Sequence, residues 1–183
     1  MSERSAPPGG LALVQDLVNT LDIETGGDAL DTAGGREPFG LTEGDAGSAR
    51  ELRESLRATL LAHAGHPPHR EVTPLGDLLA RAPLVVTVDT ADGSAALAPV
   101  DDGPLLSRIA AAVAEAVTAG TWNRLKACEA VTCHWAYYDR SPAGRGRWCS
   151  MQVCGARAYR LAEANARTRE LHGGGPYRRR HWK

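Results

Sequence analysis

With 183 residues, of which 43% are hydrophobic and 23% charged, the chain can bury a core of its own. Its net charge of −1 hides a division: residues 1–120 carry 8 Lys/Arg against 18 Asp/Glu, and residues 121–183 carry 13 against 4. No apolar run approaches the roughly 18 residues of a membrane span, and Asp16 interrupts the short apolar stretch near the N-terminus, so neither a span nor a secretory leader is expected and the setting is predicted to be cytoplasmic.

Residues 1–10 are rich in Pro and Gly and predict a loose arm. Leu13, Val14, Leu17, Val18 and Leu21 then recur at helical spacing and predict a first helix with one buried face. From Gly26 to Gly47 the chain is rich in Gly, Asp and Thr, which predicts a long loop with room for a short turn of helix. Ser48-x-x-Glu51 has the capping-box pattern and predicts a helix that starts near Ser48 and buries Leu52, Leu56 and Leu60. Thr73-Pro74 offers an N-cap and a first-turn proline for LGDLLARA. LVVTVD and SAALAPV flank TADG as a β-hairpin. A last helix of this part starts at Asp102-Gly103-Pro104, lines one face with Leu105, Ile109, Ala112, Val113 and Val117, and ends at Gly120. Residues 1–120 therefore predict a mostly helical α+β domain.

All four cysteines lie within residues 128–154, as two pairs of equal spacing, Cys128-x4-Cys133 and Cys149-x4-Cys154, with fifteen residues between them. In a reducing compartment such pairs are more often metal ligands than disulfides, and zinc takes four soft ligands in a tetrahedron. One zinc held by Cys128, Cys133, Cys149 and Cys154 is the expectation; a disulfide pair or free thiols are the alternative. Four thiolates leave no coordination position for water, so the metal would be structural. His134 is a weaker ligand candidate because the set of four is already complete. Between the pairs, HWAYYD and GRGRWC flank SPAG and predict a short hairpin, with Asp139 and Ser141 tying its turn. Cys154 opens the helix GARAYRLAEANARTREL, and knuckle, hairpin and helix around one metal make a treble-clef-like module.

The run CEAVTCHWAYYDRSPAGRGRWCSMQVCGAR resembles the CGNR zinc finger, through its two cysteine pairs, Tyr138-Asp139-Arg140-Ser141, Arg147 to Met151, and Cys154-Gly155-Ala156-Arg157. Upstream, LALVQDLVNTLD resembles the opening of the ABATE domain, with Asp16, Val18, Asn19 and Thr20 in matching places. That resemblance implies a transcription regulator linked to stress, in which an N-terminal domain of 1–120 precedes a zinc finger over 121–170 and a basic tail over 171–183. It also raises Asp16 and Asn19 as residues of a ligand pocket. One departure is plain: Ala156 stands where the family has Asn, so any contact or cap made by that Asn is missing here.

The charge division predicts an anionic partner for the C-terminal part. Arg145, Arg147, Arg157, Arg160 and Arg167 are the candidate nucleic-acid contacts, and Arg160 and Arg167 fall on nearly one helix face. The competing reading is that the basic surface serves solubility or docks on the acidic N-terminal part. Trp135, Tyr137, Tyr138 and Trp148 serve either to pack the zinc loops or to stack on bases. His63, His66 and His69 are spaced like ligands, but Gly65, Pro67 and Pro68 break the helix there and predict a surface loop. No P-loop, G-x-G-x-x-G fingerprint or nucleophile elbow is present, so an enzyme is not expected. The leading expectation is a regulator that binds double-stranded DNA, with a small-molecule effector and a homodimer left open. The alternative is a zinc-stabilised interaction or ligand-binding protein that touches no nucleic acid.

Overall fold

In the computed structural model, residues 6–172 are described, and the chain is α+β. Residues up to Cys149 form one compact unit and those from Ser150 form another. In the first unit the helices are α1 (Leu11–Val18), α2 (Ala33–Arg36), α3 (Ala46–His63), α4 (Leu75–Leu79) and α5 (Leu105–Thr118). Two small antiparallel sheets accompany them: β1 (Leu84–Val88) with β2 (Ala95–Pro99), and β3 (Leu125–Ala127) with β4 (Ala136–Tyr138). The second unit holds a π-helical turn at Met151–Gly155 that runs into α6 (Ala156–His172).

The apolar stripes of α1, α3 and α5 meet in one core of Leu11, Val14, Leu17, Leu56, Leu60 and Ile109, among others. Each contributes residues three or four apart, because that spacing returns side chains to one helix face. This core does not stop near residue 120. Leu125, Ala127 and Ala136 are all buried in it, so β3 and β4 pack as part of the helical body. At full burial, Leu125 alone removes enough apolar surface from water to matter at the level of about 2 kcal/mol.

Several local expectations shift. The segment expected as a loop between Gly26 and Gly47 contains two 3-10 turns and the one-turn α2, seeded by Asp28 and Thr32 side chains that accept backbone amides of Leu30 and Gly35. α3 begins at Ala46, and Ser48 lies inside it. The capping box fails because the Asp45 carboxylate ties Thr42 instead, and Glu51 accepts the hydroxyl of Thr73 at 2.7 Å. Thr73 therefore does not cap α4; Pro74 occupies that position without a side-chain bond. The hairpin of β1 and β2 forms with Val88 opposite Ala95. α5 buries Leu105, Ile109 and Ala112 as expected, but Val117 is exposed, and Ala116 takes the inward place. Gly120 does end that helix. It adopts φ 66°, and the amides of Gly120 and Thr121 return to Val117 and Ala116 in a Schellman closure.

The expected hairpin between the cysteine pairs is rearranged. HWAYYD supplies β4, but its partner is LKA of β3, which precedes the first cysteine; among the described residues GRGRWC forms no strand. The reason is a buried carboxylate. Asp139 accepts the amides of Ser141 and Gly146 and pairs with Lys126 of β3 at 2.9 Å, which folds the segment after β4 into a loop. The expected basic tail, 171–183, reaches only Leu171 and His172 of α6 here; residues 173–183 lie outside the described residues, as do the first five residues of the arm.

Candidate metal centre and basic helix

β3 delivers Cys128 and β4 begins shortly after Cys133, so the first pair sits on the turn that joins two core strands. The turn closes tightly: the amides of Cys133 and His134 both return to the carbonyl of Ala130, and Cys128 donates to Trp135. His134 lies at φ 46°, a left-handed conformation unusual for a residue with a side chain. Its Nδ1 stands 2.9 Å from the Cys128 carbonyl, so the ring braces the turn and is spent on the backbone.

The second pair arrives from the Asp139 loop. Arg124 donates to the carbonyls of Asp139 and Ser141, Lys126 to Gly144, and Tyr137 to Gly146. A Cβ at Gly146 would stand 2.9 Å from the Asp139 carboxylate, so only glycine lets the loop approach this closely. The Lys126 ammonium and two backbone amides hold Asp139 ionised and its carboxyl well below the usual carboxylate range, against burial that alone would raise it. Ser150 then accepts the Val153 amide and caps the helical turn that carries Cys154, so the helical run starts at Met151, ahead of the cysteine expected to open it.

The four sulfur atoms of Cys128, Cys133, Cys149 and Cys154 lie within 4.8 Å of one another, and Cys133 and Cys149 are 3.6 Å apart. None is in a disulfide. A tetrahedron with metal–sulfur bonds of about 2.3 Å has edges of about 3.8 Å, so the donor set fits zinc in both chemistry and spacing. Hydrogen bonds from Cys133 and Cys149 pull the Cys128 thiol far down, while the bond with Cys128 pushes Cys133 up. These four cysteines hold one structural zinc, which, when bound, supplies cross-linking and no open coordination site.

A set of residues that no spacing in the chain points to meets this turn from α1 and α3. Arg57, in the middle of α3, is fully buried; it donates to His134 at 2.8 Å and to Val18 at 2.8 Å, and pairs with Glu54 at 3.1 Å. Glu54 also receives Arg53 and His69, at 2.7 and 2.9 Å. Nearby arginines hold its carboxyl below the usual range although burial opposes them. A buried arginine breaks the composition rule for cores, but 77 residues separate Arg57 from His134, and no local pattern links them.

Asn19 and Asp16, the expected pocket residues, are placed differently. Asn19 donates its amide to the Ala136 carbonyl at 3.0 Å and accepts the Ala136 amide at 2.7 Å, as a neighbouring strand would. Asp16 is exposed on α1. A cavity of about 230 Å³ opens elsewhere, lined by Leu41, Ser48, Leu52, Leu78, Arg81 and Leu105 among others. The three histidines also part company. His63 meets the Leu125 carbonyl, His66 lies 3.6 Å from Glu129, and His69 meets Glu54.

Of the candidate basic contacts, Arg147 grips the Glu129 carboxylate with two nitrogens and lies over the Trp148 ring at 5.1 Å. Arg145 is exposed beside it. Arg157 is half-buried at the start of α6, while Arg160 and Arg167 are exposed, Arg160 bonding the Ala156 carbonyl at 3.3 Å. Ala156 is the first residue of α6, and Ser150 does the capping, so the replacement of the family Asn leaves the helix start intact. Tyr137 is buried and bonded, whereas Tyr138 and Trp148 are half-buried beneath arginines.

Among the described residues no helix is long and apolar enough to cross a membrane. No curated protein matches the chain in sequence. Residues 124–169 match the CGNR zinc finger, and residues 11–120 match ABATE, described as "Putative stress-induced transcription regulator". With the four-cysteine centre in the first match and the helical core in the second, the chain belongs to the ABATE family and carries a CGNR zinc finger.

Proposed function

We propose that the protein is a cytoplasmic DNA-binding transcription regulator whose zinc module presents α6 to duplex DNA. The observation that carries this reading is the state of α6: every described side chain from Tyr159 to Thr168 is exposed. A helix with no apolar stripe gains little from packing against its own chain. Such a helix, anchored at its start by a zinc centre and bearing Arg160 and Arg167, suits the major groove, which admits an α-helix. Phosphates would be met by the arginines, and base edges by the remaining face. The chemistry favours binding over catalysis, because the metal is coordinatively saturated and the buried acids and bases are paired with one another. A small effector, if one acts, would enter the cavity beside Arg81 rather than the Asp16–Asn19 region.

The test is DNA binding by the zinc-loaded protein across a salt series. Affinity should fall linearly on a log–log plot, and replacing Arg160 and Arg167 together with alanine should reduce the slope by roughly 2 while zinc stays bound. Absence of binding to any duplex at low salt would favour the interaction-module reading instead.

A further inference from the structure

We infer that Arg57 and Asn19 are positioning residues for the zinc turn, so that the N-terminal half of the chain governs how firmly the metal is held. Two independent contacts carry this. Arg57 joins α1 to the turn by donating to both Val18 and His134, the residue directly after the ligand Cys133. Asn19 joins α1 to the strand that leaves the turn, satisfying both the amide and the carbonyl of Ala136.

The need for such bracing is local. His134 holds a left-handed conformation that a side chain resists, by about 1 kcal/mol or more. Released from its restraints, it would relax and swing Cys133 with it. Arg57 fixes the carbonyl of that residue, and Glu54 fixes Arg57 in turn. Four thiolates on one dication leave a local charge of about −2, which a buried cation nearby offsets. Groups that orient ligands from outside the coordination sphere commonly change metal affinity by about 10–100-fold when removed. The inference rests on the zinc centre alone and stands whether or not α6 binds DNA.

The simpler alternative is that Arg57 only joins α1 to α3 through Val18 and Glu54. The experiment that separates them measures zinc transfer from the full-length, zinc-loaded chain to excess 4-(2-pyridylazo)resorcinol, well below the melting temperature. Arg57→Met should speed release about ten-fold or more, and Asn19→Leu should speed it less, since it leaves His134 held. Arg57→Lys keeps the charge but spans fewer carbonyls, so it should fall between wild type and Arg57→Met and also serves if Arg57→Met does not fold. Leu78→Ala, a core change in α4, is the control: it should lower the melting temperature with zinc release unchanged. In cobalt-loaded protein, Arg57→Lys should also shift the thiolate charge-transfer and d–d bands. Wild-type release from both Arg57→Lys and Asn19→Leu would overturn the inference. So would release from Leu78→Ala as fast as from the Arg57 variants at matched stability.

Discussion

Asp139 shows how much a single buried carboxylate can organise. It pairs with Lys126 and takes two backbone amides, and both side chains of the pair are almost fully enclosed. Breaking a buried pair by removing one partner costs about 3–5 kcal/mol, because the other charge is stranded. Asp139→Ala should therefore loosen the loop that delivers Cys149 and lower the zinc affinity, as chelator competition would show. Lys126→Met together with Asp139→Leu removes both charges and should recover part of the stability, although the amides of Ser141 and Gly146 stay unmet. The histidines give the complementary case. Burial lowers His63 and His69 below the ordinary 6.5, so their protonation favours the unfolded chain. Stability from these groups is fully present above pH ~6.5 and is lost as pH falls through their lower folded values. Denaturation followed from about pH 7.5 down to about 5.5 should show this loss, and His63→Gln should remove the part that comes from burial of the His63 ring.

At the scale of the elements, the helix ends are set by backbone closure more than by side-chain caps. Gly65, at φ 81°, and Gly120, at φ 66°, end α3 and α5, and nothing stands within 4 Å of a Cβ built on either. Gly120→Ala should thus cost only conformational strain, about 1–2 kcal/mol, visible as a lower melting temperature with unchanged zinc content. The signal for these ends was in the sequence, since a glycine after an apolar stripe marks a stop. Ser48-x-x-Glu51 carried an equally good signal for the start of α3, and there the competing bonds of Asp45 to Thr42 and Glu51 to Thr73 prevailed. The exposed length of α6 is the element on which the proposed function turns, and its arginines are legible from periodicity alone.

For the whole molecule, the helical core extends past residue 120 to the strands that flank the first cysteine pair. Three core side chains, Leu125, Ala127 and Ala136, lie beyond residue 120, and Arg57, Asn19 and His63 reach to the strands and the zinc turn. A fragment of residues 1–120 should accordingly unfold at a lower temperature than the full chain, with Arg57 deprived of one of its two carbonyls. Chelation of the full chain should lower the stability of the N-terminal helices as well, in a melt followed by circular dichroism. Independent melting of the helices, unaffected by zinc, would show that the shared core carries no coupling.

Spacing along the chain was enough to specify the ligands, the existence of α1, α3 and α5, and the hairpin of β1 and β2. Each depends on residues only a few positions apart: two equal cysteine gaps, stripes three or four apart, and turn residues between apolar runs. The charge division was equally plain, because it is a count. Packing in three dimensions was needed to decide where β4 pairs, why Asp139 is buried, and that Asn19 serves a strand edge. It alone brought Arg57 to His134 and made the ABATE residues Val18, Asn19 and Thr20 neighbours of the zinc turn or of the arginines behind it. Hydrogen bonds between residues tens of positions apart leave no periodic trace in a chain. A buried arginine looks like any surface arginine until packing encloses it and leaves backbone carbonyls as its partners.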